Sequence, residues 1–468
     1  MSTTAPAATG APAPAAPRRL TLVLATVWLV VTLWCAAGIP VRATYGAQTT
    51  ADEPQYLLTA ISLYTDRDLD IADELAERRW TAFHEAELPE QTRPLPGGRR
   101  LSPHDPLLPL LLAVPAGLGG WAGAKLAMAG LAGLLAVLLV WTAVRRLRVP
   151  LVPATVAVLA CALSPPLAVY ATQLYPELVA ALAVAVALAV LPAVARSPGA
   201  AVAAGLAITA LPWLGIKYAP VAAVLALAAA WVLRGRGWRP LLVFGGGLAL
   251  AGAVYVLGHL AIYGGLTPYA VGDHFTGGEL DVVGTTPNYA GRTIRLTGLL
   301  TDRTFGLIPW APVWLLAVPA LAAVVRRREG RVLAGVLAAG WLTATYVALT
   351  MHGWWWPGRQ VVVVLPAAVL ALAMWARGRW VVVTGLAGLI GAVNFACLVA
   401  AGIPRRLTWV VDFYQIAAPY RLLRPLLPDG LTVTPATWVL HAVWAALLAG
   451  LAVAGWRSAR REPAVSSR

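Results

Sequence analysis

The chain has 468 residues, of which 59% are hydrophobic and only 12% are charged. Because an ordinary soluble domain carries about 25% charged residues, this composition excludes a soluble globular protein and indicates an integral membrane protein. The formal net charge of +15 comes mainly from arginines in short connections that alternate with acid-containing ones. This alternation is the positive-inside pattern of a membrane protein, so we predict no nucleic-acid partner.

Residues 1–19 are rich in Ala, Pro and Thr and predict a disordered cytoplasmic tail. The apolar segments that follow are about 20 residues long, as a membrane-crossing helix requires, and lack the alternation of a barrel strand. We predict an all-α polytopic protein of the cytoplasmic membrane with about 12 transmembrane helices (about 11–13) and both termini cytoplasmic. The predicted spans are residues 20–39, 119–144, 150–169, 177–194, 199–216, 218–233, 240–262, 305–325, 332–350, 360–376, 380–402 and 436–456.

The first predicted outer loop, residues 40–106, carries 12 of the 21 acidic residues. Within it, Asp52-Glu53-Pro54 predicts the start of a helix, since an acid can cap the helix and Pro fits its first turn. Apolar residues then recur at helical spacing and predict an amphipathic helix lying at the membrane interface. These residues are Tyr56, Leu57, Ala60, Ile61 and Tyr64. Residues 107–118 are too short to cross and predict a re-entrant or interfacial segment.

The acidic pair Asp52-Glu53 has two interpretations. A carboxylate at a helix N-terminus can accept backbone N–H bonds and interact favourably with the helix dipole. It can also act as a general base at the membrane surface and take the proton of an acceptor hydroxyl. The two roles are compatible, because a carboxylate held at a helix N-terminus stays ionised and fixed in place.

Further ionisable residues fall at the predicted outer ends of helices, where they could surround one cavity. They are His104, Asp105, Glu177, Lys217, Asp273, His274, His352 and Arg359. Ionisable groups at membrane depth are candidates for function, although Lys217 could snorkel and Arg359 could anchor the interface. No HExxH motif accompanies His84 or His104, so we predict no zinc site. A divalent cation held by Asp52 and another outer carboxylate stays open.

Six segments together resemble the GT-C superfamily of membrane glycosyltransferases, the class of protein O-mannosyltransferases and lipid A aminoarabinose transferases. They are ADEPQYLLTAISL, SPHDPLLPLLL, LYPELVAAL, LPWLGIKYAP, DRTFGLIPWAPVWLL and GRQVVVVLP. The resemblance implies a polyprenyl-phosphate sugar donor and a lipid, glycan or protein acceptor at the outer face. The predicted cytoplasmic loops contain no nucleotide-sugar motif, which agrees with such a donor.

The same resemblance implies roles for individual residues. Asp52 would be the base of an inverting displacement, and Glu53 would orient it or help to hold a cation. Arg359 and Lys217 would bind the donor phosphate. Arg359 matches an Arg-Tyr-Leu-Leu-Pro-like motif of such families, but Gln360 stands here in place of the tyrosine.

This interpretation assigns residues 20–376, including loop 40–106, to a catalytic transmembrane module. Residues 377–468 would add C-terminal transmembrane helices and the outer segment 403–435. Two other functions stay open: a transporter or flippase for a lipid-linked sugar, and a non-catalytic scaffold of envelope assembly. The composition, rich in Ala, Arg, Pro and Gly and poor in Lys, is typical of a high-GC bacterium and favours mannose or arabinose as the sugar.

Overall fold

The computed structural model describes residues 17–275, 277–413 and 424–461. Residues 1–16 of the predicted tail, and residues 414–423 of the predicted segment 403–435, lie outside the described residues. The described part is helical and contains no β-strand, only isolated bridges such as that between Thr92 and Gly272. Its helices are α1 (Pro17–Ala36), α2 (Glu53–Thr65), α3 (Ala72–Ala76), α4 (Leu107–Arg145), α5 (Leu151–Ala162), α6 (Leu167–Tyr170), α7 (Pro176–Val190), α8 (Pro198–Leu214), α9 (Ala219–Leu233), α10 (Trp238–Tyr263), α11 (Tyr289–Arg292), α12 (Arg295–Thr301), α13 (Val313–Val324), α14 (Arg328–Leu342), α15 (Leu365–Trp375), α16 (Arg379–Gly402) and α17 (Pro435–Arg461).

Eight helical stretches of the described chain are long and apolar enough to cross a membrane, which makes this a multi-pass membrane protein. They are Arg18–Ala36, Leu107–Arg145, Pro176–Ala193, Ile216–Arg236, Trp238–Val271, Arg328–Val347, Arg379–Gly402 and Pro435–Ala459. Four apolar helices are shorter, namely Leu151–Ala162, Pro198–Leu214, Val313–Val324 and Arg359–Trp375. Each of the twelve predicted segments therefore contains an apolar helix, and the count of twelve spans stays a prediction.

The segment predicted to be re-entrant or interfacial is the first part of α4. This helix runs over 39 residues but is interrupted at Gly120, whose φ of +57° and ψ of −149° suit glycine and not residues with a side chain. The interruption separates the short stretch 107–119 from a long second part that crosses the bundle. The sequence analysis separated residues 107–118 from the span 119–144, and the structure has a break within one helix close to that boundary, at Gly120.

Helix α2 begins where the sequence predicts, with Asp52 as the N-terminal flanking residue and Pro in its first turn. The helix packs along α4 and is not laid on the surface: Glu53 through Ala60 are all buried. A side chain at Gly117 of α4 would lie 2.1 Å from the ring of Tyr64, so glycine allows this close approach. The expectation of a single apolar stripe is wrong for the first two turns, because they are buried on every side, and the position of α2 at the membrane interface stays a prediction.

The centre of the bundle is formed by α7 and α15. Every residue from Leu365 to Met374 of α15 is buried, as are most residues of α7. In α10 only Tyr255, His259 and Tyr263 are buried, so this helix presents apolar side chains outward. Because α7 is central, the residues at its N-terminus lie inside the protein and beside α2 and α4.

Candidate active site

A cavity of about 530 Å³ opens where the start of α2, the start of α7 and the chain between α8 and α9 meet. It lies at the end of the bundle that carries the acid-rich loop. Its wall combines apolar and aromatic side chains with a small set of ionisable ones, a composition typical of ligand sites. The polar and aromatic residues of the wall include Asp52, Tyr56, His104, Asp105, Lys217, Tyr269, Phe275, Trp355, Arg359 and Gln360.

Asp52 faces the cavity with its side chain turned away from the helix that it precedes. The backbone carbonyl of Asp52 accepts bonds from the N–H groups of Gln55 and Tyr56, but its carboxylate caps nothing. Instead, Asp52 Oδ2 accepts a hydrogen bond from Nη2 of Arg359 at 2.6 Å. The capping interpretation is therefore wrong for the side chain, and the carboxylate stays available to the cavity.

Glu53 points the opposite way, into the protein. One of its oxygens accepts a bond from the backbone N–H of Leu174 at 2.6 Å, and the other accepts one from Thr50 at 2.9 Å. Burial raises the pKa of Glu53, while the nearby Lys125 ammonium lowers it. Glu53 does not line the cavity, so it supports the site by fixing the backbone on both sides of Asp52 and before α7.

Two cations of the cavity are held by one buried carboxylate. Glu177, in the first turn of α7 after Pro176, is fully buried. Its Oε1 accepts hydrogen bonds from Lys217 Nζ at 2.7 Å and from Arg359 Nε at 2.9 Å. Charge-assisted bonds of this kind are strong and short. Glu177 therefore sets the spacing between the ammonium and the guanidinium group.

Local backbone geometry brings the two cations to Glu177. Lys217 lies in the 3₁₀ turn Ile216–Tyr218 that separates α8 from α9. Arg359 begins a 3₁₀ turn directly after Gly358, whose φ of +82° favours glycine. The guanidinium of Arg359 also lies 4.0 Å above the ring of Tyr175, a cation–π contact that restricts its position.

His104 and Asp105 approach the cavity from the turn before α4. The ring of His104 stacks on Tyr56 with 4.7 Å between centroids, and its Nε2 lies 4.0 Å from Asp52 Oδ1. Asp105 Oδ1 is 3.1 Å from Nε2 of His259 and accepts a hydrogen bond from the Tyr255 hydroxyl at 3.3 Å. His104 thus faces Asp52, whereas Asp105 joins the turn to α10.

Burial and neighbouring charges shift the pKa values of Asp52, His104 and Asp105 in different directions. Burial alone would raise the pKa of Asp52, but the Arg359 guanidinium, with help from His104, holds it at about 2. Burial lowers the pKa of His104 to about 4, a shift that Asp52 opposes. Burial raises the pKa of Asp105, against its bonds to His259 and Tyr255. At neutral pH the cavity therefore holds an ionised Asp52 beside a neutral imidazole.

Comparison with solved structures finds the same arrangement of helices in ArnT from Cupriavidus metallidurans bound to undecaprenyl phosphate. The TM-score is 0.53 at 18% sequence identity, over 96% of this chain and 73% of the ArnT chain. The chain has a fold similar to that of ArnT. The resemblance inferred from ADEPQYLLTAISL and the other segments is therefore confirmed for the fold.

The other comparisons do not add to this likeness of fold. The apo structure of the same ArnT gives a TM-score of 0.47 at 18% identity, over 95% of this chain and 73% of that chain. No protein-family model matches the sequence, and no curated protein matches it. At 18% identity the likeness establishes the fold, and the activity has to be argued from the residues of the cavity.

Some predicted site residues lie apart from the cavity wall. Asp273 and His274 are exposed, and only the next residue, Phe275, reaches the wall. His352 lies against Phe305 with its Nε2 3.8 Å from Asp302. The expectation that these three residues surround the cavity is therefore corrected, because none of them is part of its wall.

The sequence analysis did not identify two buried ionisable side chains near the cavity. Lys125 is fully buried in α4 and donates to the carbonyl of Gln48 at 2.6 Å. His259 is fully buried in α10 and bonded to Asp105. Both lie inside segments assigned as spans. The signal that could have found them is an ionisable residue within an otherwise apolar helix.

The carboxylates of the cavity do not fit a divalent cation. Asp52 already binds Arg359, and Glu177 binds both Arg359 and Lys217. Asp52 Oδ2 and Glu177 Oε1 are therefore bonded to positive side chains, whose charge opposes a divalent cation beside them. Among the described residues, the carboxyl groups that lie close enough together for a cation are Asp66, Asp73 and Glu74, away from the cavity.

Proposed function

We propose that this protein transfers a sugar from a polyprenyl-phosphate donor to a hydroxyl acceptor. The observation that carries the proposal is the row of charges formed by Lys217, Glu177, Arg359 and Asp52 along one cavity. Two cations held in fixed positions can bind a phosphate, and the carboxylate beside them can act as a base. The ArnT structure of the same fold has undecaprenyl phosphate bound, which supports this donor class.

The reaction is a displacement at the C1 carbon of the sugar. Lys217 and Arg359 bind the phosphate and stabilise the negative charge that develops as the bond from C1 to the phosphate oxygen breaks. Asp52 accepts the proton of the acceptor hydroxyl as its oxygen bonds to C1. Attack from the face opposite the phosphate inverts the configuration at C1. The phosphate competes with Asp52 for Arg359, so donor binding loosens the pair and strengthens Asp52 as a base.

We place the cavity at the outer face of the cytoplasmic membrane, with both termini in the cytoplasm. The arginine-rich connections and the acid-rich loop support this orientation through the positive-inside rule. The acceptor is a hydroxyl of a lipid, a glycan or a protein in the envelope. Mannose or arabinose is the sugar that we would test first, for the compositional reason given above.

The test is sugar transfer by the purified protein in proteoliposomes. Radiolabelled polyprenyl-phosphate mannose and arabinose would be supplied with acceptors extracted from the envelope, using wild type, Asp52→Asn and the control Asp273→Asn. We expect Asp52→Asn to transfer at least about 100-fold more slowly at equal abundance in the membrane. The control should match wild type, since Asp273 is an exposed acid outside the cavity wall.

Two results would overturn the proposal. If Asp52→Asn transfers at the wild-type rate, Asp52 has no part in the mechanism. If the wild type transfers label from neither donor, while labelled lipid moves between leaflets, the protein is a flippase for the lipid-linked sugar.

A further inference from the structure

His104 has a ring nitrogen with no hydrogen-bond partner, directed at the reacting carboxylate. Its Nε2 is buried, makes no hydrogen bond among the described residues and lies 4.0 Å from Asp52 Oδ1. A buried polar atom without a partner is unfavourable. Stacking on Tyr56 holds the ring in this position. The atom therefore faces the one carboxylate oxygen that Arg359 does not bind.

Asp52 binds a proton only weakly. Its ion pair with Arg359 favours the ionised carboxylate and lowers its pKa, and an imidazole is ordinarily a stronger base than a carboxylate. A proton taken from the acceptor is therefore held more tightly by the imidazole than by the carboxylate. With the proton gone from Asp52, the carboxylate is ionised again.

We propose that His104 receives the proton that Asp52 removes from the acceptor hydroxyl. The acceptor oxygen bonds to C1 of the sugar, and the electron pair of the broken bond leaves on the polyprenyl phosphate. The hydroxyl proton passes to Asp52 Oδ1 and from there to Nε2 of His104, which becomes an imidazolium. This inference rests on the proposed function and assigns the second step of its proton transfer.

The charges around His104 link this step to donor binding. Asp52 and Glu177 favour the imidazolium, whereas Arg359 and Lys217 oppose it. A phosphate bound to the two cations would offset their repulsion, so the imidazole accepts a proton most readily when the donor is in place. The 4.0 Å gap needs a small closing movement or one bridging water, and such distances are often long in ligand-free sites.

The first test replaces His104 by Phe, which keeps a flat ring against Tyr56 and removes both nitrogens. We expect His104→Phe to transfer sugar about 100-fold more slowly or worse and to bind radiolabelled polyprenyl phosphate as wild type does. The matched control is His84→Phe. His84 also has a buried ring nitrogen without a partner, but it lies outside the cavity wall.

The second test is chemical rescue. His104→Ala leaves a space beside Tyr56, and added imidazole should restore part of the transfer rate, because the free base can take the proton in place of the side chain. Polyprenyl phosphate binding should not change with imidazole. A purely structural role for His104 would not respond to a soluble base.

The outcomes separate this inference from the proposed function. Transfer by wild type and equally fast transfer by His104→Phe would overturn the role of His104 alone. So would a loss of phosphate binding as large as the loss of rate, or a His104→Ala variant that binds the phosphate but does not respond to imidazole. Absence of transfer by wild type would instead overturn the proposed function.

Discussion

The cavity and the loop 66–90 are both rich in charge, but they differ in how the charges are placed. In the cavity, Glu177 is fully buried and Arg359 is only 7% exposed, and each pairs with a residue far away in sequence. In the loop, Arg78 is 58% and Glu87 is 79% exposed, and they lie nine positions apart. A high density of acidic residues identifies the loop in the sequence. The candidate active site is identified instead by charged side chains that are buried and paired.

The physical reason is the surrounding medium. An exposed ion pair is screened by water and salt and adds little to the free energy of folding. A buried pair interacts strongly, and removing one partner leaves the other charged and unsolvated. Changes in the cavity should therefore have large effects on both stability and transfer, and similar changes at an exposed loop pair such as Arg78 and Glu87 should have almost none.

The largest effect is expected for Glu177→Gln. The amide keeps the size of the side chain but cannot neutralise Lys217 and Arg359, which Glu177 holds at 2.7 and 2.9 Å. Breaking a buried pair in this way costs about 3–5 kcal/mol. We expect a clear fall in Tm in detergent and a loss of polyprenyl phosphate binding, because the spacing of the two cations is no longer set.

The matched control for this variant is Glu87→Gln, which removes the exposed partner of Arg78. It makes the same chemical change in the loop. If Glu177→Gln and Glu87→Gln melted at the same temperature, burial would not distinguish the two regions and the comparison would fail.

A smaller effect is expected for Glu53→Gln. An amide has a single acceptor oxygen, so it can satisfy only one of the backbone N–H groups of Thr50 and Leu174. A buried N–H left without a partner costs about 1–3 kcal/mol. Transfer should slow together with a fall in Tm, because the backbone that carries Asp52 is less well fixed.

Measuring kcat and Tm on the same preparation separates the two roles of Glu53. A slower reaction with a lower Tm supports the positioning role. A complete loss of transfer at the wild-type Tm would contradict it and would place Glu53 among the reacting groups.

The sequence analysis located the start of α2 and Asp52 because both depend on neighbouring residues. Asp followed by Glu and Pro predicts a helix start, and an acid near a membrane span predicts function. Lys217 could be recognised for a similar reason, as a lysine between two apolar segments. Apolar segments of suitable length likewise predicted an all-helical membrane protein, which the structure confirms.

The pairings could not be predicted from the sequence. Arg359 and Asp52 are 307 positions apart, and Glu53 bonds to a backbone group 121 positions away. No local pattern records such contacts, because they arise only when α2, α7 and the turn before α15 pack together. The sequence also could not show that the side chains of Asp52 and Glu53 point in opposite directions. Both are acids at the start of the same helix, and only the packing of the helices distinguishes them.

The smallest effect is expected for Arg78→Gln. Arg78 pairs with Glu87 on the surface and lies over the ring of Trp80 at 5.2 Å, outside the cavity wall. Since both partners are mostly in water, removal of the guanidinium should leave Tm and transfer from the polyprenyl-phosphate donor indistinguishable from wild type. A slower transfer at unchanged Tm would give the loop a direct part in binding the acceptor. The division between a reacting cavity and a solvated acidic loop would then no longer hold.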